Sequence, residues 1–145
     1  MTAPLYNAEI LRLAAEIPHH VRLDAPHATA ERRSPICGSR VTVDVALGDD
    51  GRVAEVGLLV RACALGQASA SLLAAEVLGR TPEELAAARD ALTAWLAAGE
   101  GDAPDWPGLA VFGPALSYTA RHPSIRLAFE AAAEAAEQAR ERAVA

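Results

Sequence analysis

Hydrophobic residues alternate along two stretches of the chain, first Val41, Val43, Val45 and Leu47, then Ala54, Val56, Leu58 and Val60. Period two marks strands with one buried face. Asp50-Gly51 lies between the runs, and because Gly accepts φ > 0 without a Cβ clash, the dipeptide predicts a two-residue type I′ hairpin turn. Pairing about it sets Val41 against Val60, Val43 against Leu58 and Val45 against Val56, with both apolar sets on one face. Glu31 to Ile36 reads as a short third strand beside the hairpin.

Elsewhere the period is helical. Tyr6, Ile10, Leu13 and Ile17 mark one face of an opening helix that Pro18 ends, read as an amphipathic lid docked on the sheet. Residues 18 to 30, rich in His, Pro and Ala, form a connection. From Ala64 a helix runs through Ser69, Leu72, Leu73 and Val77 to a stop at Gly79. Thr81-Pro-Glu-Glu84 is an N-cap, an N1 proline and a capping-box glutamate, opening a helix through Leu85, Leu92 and Leu96 that Gly99 closes. Residues 99 to 118 are broken by Gly and Pro, with one short helical turn around Trp106 to Phe112. A last helix starts near His122-Pro-Ser124 and runs through Ile125, Phe129 and Ala132 into a charged, solvated stretch, Glu134 to Arg142, with a frayed end. The expectation is one α+β domain over residues 1–145, a small antiparallel sheet of about three strands against about five helices.

Composition narrows the function. With 145 residues, 52% of them hydrophobic, the chain has the material for one buried core. Aromatics are only 4% and alanine supplies much of the apolar fraction, so helices built from small residues should pack closely. A net charge of −6 and a pI near 5.2 argue against a nucleic-acid partner, which needs clustered Lys and Arg. No secretory signal and no apolar run near the ~20 residues of a membrane span is present, so a cytoplasmic protein is expected. In a reducing compartment thiols are more often free, metal-bound or catalytic than paired in a structural disulfide.

The chain has two cysteines. Cys37 stands in Ser34-Pro-Ile-Cys-Gly-Ser39 before the first strand of the hairpin, and Cys63 in Arg61-Ala-Cys-Ala-Leu-Gly66 after the second. The register brings them within one residue of facing each other at the hairpin's open end, which suggests a soft-metal, sulfur or redox site. Cys63 also lies at a helix N-terminus, where the macrodipole and unpaired N–H groups favour an anion such as a thiolate. Other candidates carry less. His19, His20 and His27 sit in the connection, Ser69 and Ser71 read as small helix-packing residues with no Asp–His partner, and Asp49-Asp50 is a turn.

In this order, Pro-Ile-Cys-Gly before a strand, Ala-Cys-Ala-Leu-Gly-Gln-Ala-Ser-Ala-Ser71 opening a helix and Thr-Pro-Glu-Glu-Leu85 resemble the IscU/NifU/SufU family of iron–sulfur cluster assembly scaffolds, over roughly residues 5 to 140. The resemblance implies a protein that holds a nascent [2Fe–2S] cluster, iron or zinc for transfer to apo iron–sulfur clients, supplied by a cysteine desulfurase, with no catalysis in the strict sense. It places Cys37 and Cys63 on the family's first two cysteine ligands. The aspartate two positions after the first cysteine is Ser39 here, and the third cysteine falls on Ser124. A serine hydroxyl stays protonated near neutral pH and is a poor ligand for iron or zinc. Two completions follow: an imidazole from His122, or a homodimer pooling Cys37 and Cys63 of both chains into a four-thiolate site. The alternative functions are a zinc-bound or metal-free sulfur-transfer protein, with Cys63 or Cys37 taking a persulfide, and a degenerate interaction module that binds no metal.

Overall fold

The computed structural model describes residues 6–35 and 38–143. Its elements run α1 (Ala8–Ala15), β1 (Ala28–Arg33), β2 (Arg40–Leu47), β3 (Val53–Arg61), α2 (Ala64–Glu76), α3 (Pro82–Ala98) and α4 (His122–Ala143), with two short 3₁₀ segments, Leu109–Ala115 and Thr119–Arg121, before α4. The strands form one antiparallel sheet in the order β1-β2-β3. The α+β expectation holds, and the hairpin register is the one the alternation predicts: Val41 pairs with Val60, Val43 with Leu58 and Val45 with Val56. The turn differs. Gly51 takes φ +79° but no Asp does, Gly51 N–H donates to the Gly48 carbonyl and Gly48 N–H to the Arg52 carbonyl. This is a three-residue loop with glycine in the left-handed position, and a bulge absorbs the added residue, since Ala46 faces Glu55 while Leu47 faces Val53.

The third strand begins and ends three residues earlier than expected, at Ala28–Arg33, because Ala28 and Ala30 are the residues that reach the core. α4 packs across β1 and β2, α2 against α4, and α1 against α2. The opening helix is therefore a lid on α2 and not chiefly on the sheet, burying Ile10 and Leu13 while Tyr6 stays exposed. α2 lies between two helices and is buried around most of its circumference, from Leu65 and Gly66 through Ala68 to Ala74. Small side chains permit that closeness, and the serines serve it: Ser69 Oγ donates to the Ile125 carbonyl at 2.6 Å and Ser71 Oγ to the Glu16 carbonyl at 3.3 Å.

α3 has the full capping box, Thr81 with Glu84, and ends on Gly99 at φ +72°. The segment after it covers α2, with Trp106 Nε1 donating to the Leu72 carbonyl at 2.9 Å, its ring edge-on to Phe129 and Arg80 stacked 4.5 Å over it. The chain's charged tail is not frayed up to Ala143. Ala135, Ala136 and Ala139 are buried there, and Arg140 pairs with Glu83 and Glu137. No helix among the described residues is long and apolar enough to cross a membrane.

The second face of the sheet is covered as well, at one end. Thr42, Asp44 and Ala46 of β2 are buried, although the alternation puts them opposite the core. Asp44 is the anchor. It accepts from Arg22 Nε at 2.7 Å and Nη2 at 3.1 Å, from Leu23 N–H at 3.0 Å and from Thr29 Oγ1 at 2.6 Å, so the connection lies flat on the sheet. Gly57, paired with Asp44, makes room: a Cβ there would sit 2.4 Å from the Val21 carbonyl oxygen. His20 Nε2 and His27 Nδ1 accept the N–H groups of Val60 and Leu47, so these histidines serve the sheet.

Burial is the largest single influence on the Asp44 carboxyl and pushes its pKa up, but the hydrogen bonds from Arg22, Thr29 and Leu23 and the Arg22 charge together outweigh it, holding the pKa below its ordinary 3.8. A lowered carboxylate pKa adds stability that is full above the ordinary value and is lost as pH falls through the folded one. Asp44→Ala should cost about 2–4 kcal/mol at neutral pH in urea unfolding, by leaving the half-buried Leu23 N–H and Thr29 hydroxyl without their acceptor and Arg22 without its carboxylate. It should also flatten the acid limb of the stability profile below about pH 4. A loss under about 0.5 kcal/mol would show that the network is dispensable.

Candidate functional site

Two strands and two helices end together. β2 begins at Arg40 and β3 ends opposite it at Arg61; two residues on, Cys63 is the N-cap of α2 in an extended conformation, φ −66° and ψ 171°. Its side chain makes no capping bond, its carbonyl takes the first helical bond from Gln67 N–H at 2.9 Å, and the residue is half-buried at the edge of the core. A thiol there is held by backbone on both sides while its sulfur is not used up in capping.

The start of α4 comes against this turn because Gly66 has no side chain. A Cβ on Gly66 would lie 2.7 Å from Ala62 Cβ, 3.3 Å from the Ser124 carbonyl oxygen and 3.7 Å from Ser124 Cβ. Ser124 is buried, and its hydroxyl donates to the buried Ser39 hydroxyl at 3.5 Å. Ser39 belongs to the loop before β2, closed by Ser34 N–H donating to the Ser39 carbonyl at 2.8 Å. The two residues at which the resemblance places the aspartate and third cysteine, 85 positions apart in the chain, are thus neighbours beside the first turn of α2. Cys37 lies outside the described residues.

His122 opens α4, is buried, and its Nε2 lies 2.9 Å from the Ala115 carbonyl oxygen. A carbonyl only accepts, so Nε2 carries the hydrogen and Nδ1 is the nitrogen left with a lone pair. Among the described residues no three His, Cys, Asp or Glu side chains converge in a way that could hold a metal. Concavity does not mark the site either: a groove of about 600 Å³ runs between α3 and α4, lined by Arg32, Arg89, Glu130 and Glu137 among others, and none of Cys63, Ser39, Ser124 and His122 lines it.

The family of NifU-like N-terminal domains matches residues 5–97. The chain belongs to this family. Its fold superposes on the N-terminal part of a nitrogen-fixing NifU-like protein from Brucella abortus with a TM-score of 0.88, at 41% identity over 94% of this chain and 95% of that one. It is similar in fold alone to a putative iron–sulfur cluster assembly scaffold protein for the SUF system from Fervidobacterium islandicum, TM-score 0.80 at 20% identity over 91% and 96% of the two chains. No curated protein is a significant match.

Sequence reasoning singles out Cys63, Ser39 and Ser124 and passes over Gly66. Its signal was a glycine in the first turn of a helix, where alanine is otherwise favoured by about 1 kcal/mol. Because the neighbours at Gly66 are an Ala62 Cβ and backbone, neither of which swings aside, Gly66→Ala should destabilise the fold by about 1–2 kcal/mol net in thermal or urea unfolding despite the gain in propensity. A variant as stable as the wild type would contradict the close approach of α4 to α2.

Proposed function

We propose that this protein is an iron–sulfur cluster assembly scaffold whose cargo, iron or a [2Fe–2S] cluster, is held through the thiolates of Cys37 and Cys63 and passed to apo-proteins in the cytoplasm. The observation that carries the reading is the meeting of Ser39 and Ser124 beside the N-terminus of α2. Ligand positions remote in sequence keep a common location even though the ligands are gone, as expected of a family site with its donors altered. Cargo would then rest on two strong donors per chain. A second copy would supply two more thiolates, whereas His122 would add one imidazole nitrogen, Nδ1.

The poor donors favour one second reading. Cys63 would act as a relay, its thiolate attacking the outer sulfur of a cysteine desulfurase's persulfide. The S–S bond of the donor breaks, a new one forms to Cys63, and the electron pair leaves on the donor's thiolate, with no external oxidant or reductant. Zinc, or no metal, suits that role.

Ser39→Asp with Ser124→Cys rebuilds the donor set. After anaerobic loading with iron and sulfide, the double variant should retain iron through a desalting column against a chelator at concentrations at least ~10-fold higher than those that strip the wild type. Equal retention would refute the placement of Ser39 and Ser124 at ligand positions.

A further inference from the structure

Three arginines stand in line across the end of the sheet nearest Cys63. Arg33 of β1 faces Arg40 of β2, and Arg40 faces Arg61 of β3, so all three project from the face opposite α4, where Val41, Val43 and Val45 are turned to the core. Like charges directly opposed across strands are destabilising. Here there are two such pairs in a chain whose net charge is −6.

Local carboxylates offset only part of this. Glu31 is shared by two of the three, 3.0 Å from Arg33 Nε and 3.7 Å from Arg40 Nε, and both arginines draw its pKa down, after the Arg33 hydrogen bond as the leading cause. Arg61 is exposed and has no carboxylate partner among the described residues. The other end of the same face is closed by the connection lying on Asp44, while at this end Arg33 and Arg61 are exposed and Leu59 is half-buried. Arg61 precedes Cys63 by two residues, and Arg40 follows Ser39 directly. The row is the rim of the site.

We propose that the Arg33–Arg40–Arg61 row docks an acidic surface of the protein that delivers sulfur to Cys63. This rests on Cys63 being the sulfur acceptor of the preceding section. Guanidinium groups in fixed register suit carboxylates, which they bind in bidentate fashion. An acidic partner would relieve the repulsion that the free protein carries, and opposite charge would steer it past the negative remainder of this molecule. A phosphate backbone is disfavoured by that same remainder.

The test uses the full chain and a cysteine desulfurase from the same organism, loaded from ³⁵S-cysteine, following sulfur arrival on Cys63 in single turnover. Arg61→Glu should slow the second-order step about 10-fold in 20 mM salt, with the difference shrinking below ~2-fold in 0.5 M salt, where charges at the surface are screened. Alkylation of Cys63 by neutral iodoacetamide should be unchanged. Arg61→Gln should be at least as thermally stable as the wild type, since a repulsion is removed, yet be slowed as well. Equal transfer by wild type and Arg61→Glu at low salt overturns the docking role. Arg61→Glu losing affinity for a labelled DNA 20-mer while transferring sulfur normally would overturn it in favour of nucleic acid. No ³⁵S on wild-type Cys63 would instead remove the acceptor reading beneath it, and the docking proposal with it.

Discussion

The closeness of α2 to α4 is the constraint on which the site depends. Their backbones meet where Gly66 lacks a Cβ and where Ser69 reaches the Ile125 carbonyl. That contact positions Ser124 against the first turn of α2, and through Ser124 the loop that ends at Ser39. It also leaves α2 with almost no solvent-facing side, so the helix carries small residues and hydroxyls that return their hydrogens to neighbouring carbonyls. A buried hydroxyl without a partner costs about 1–3 kcal/mol, and each serine here has one. Cys63 inherits its place from this packing: as N-cap of a helix locked on two sides, it has little freedom to move relative to α4.

The sheet is organised by charge in two unlike halves. At the hairpin-loop end, one buried carboxylate collects an arginine, a hydroxyl and a backbone N–H and so holds the connection of residues 18 to 27 on the second face. At the cysteine end the same face carries three arginines in register, Arg33 and Arg61 of them exposed. The stability of the first half and the partly relieved repulsion of the second are opposite uses of the same residue type, the difference being whether a desolvated acceptor is present. The arginine row beside Cys63 carries a like-charge repulsion that Glu31 offsets only in part.

Much of this was legible in the residues. Alternation of apolar positions gave the hairpin register to the residue, because a slip by one would turn Val41, Val43 and Val45 out of the core. Thr81 and Glu84 announce α3 by local chemistry alone, and Gly99 its end. What was not legible came from tertiary contacts. Asp44 looks like a solvent-facing residue in an alternating strand until Arg22 and Leu23 lie over it, and the tail from Glu134 looks solvated until its alanines are set against the body of the protein. The opening helix has a clear apolar stripe, yet a stripe does not say which surface receives it, and here it is α2. The turn at Asp50-Gly51 was read one residue too tight because the bulge at Ala54 that compensates for it has no sequence signature. At the site, the family motifs located Ser39 and Ser124, and only the fold brought them within a hydrogen bond of each other.

The proposed site has two thiols where the resemblance implies four donors, and Cys63 is one of the two. The most direct measurement is iron and acid-labile sulfide per chain after anaerobic reconstitution and gel filtration, on the wild type and on Cys63→Ser. Equimolar iron and sulfide, close to one of each per chain, are expected on the wild type, and their loss from Cys63→Ser. Iron and sulfide retained equally by Cys63→Ser, or absent from a well-folded wild type, would contradict that expectation.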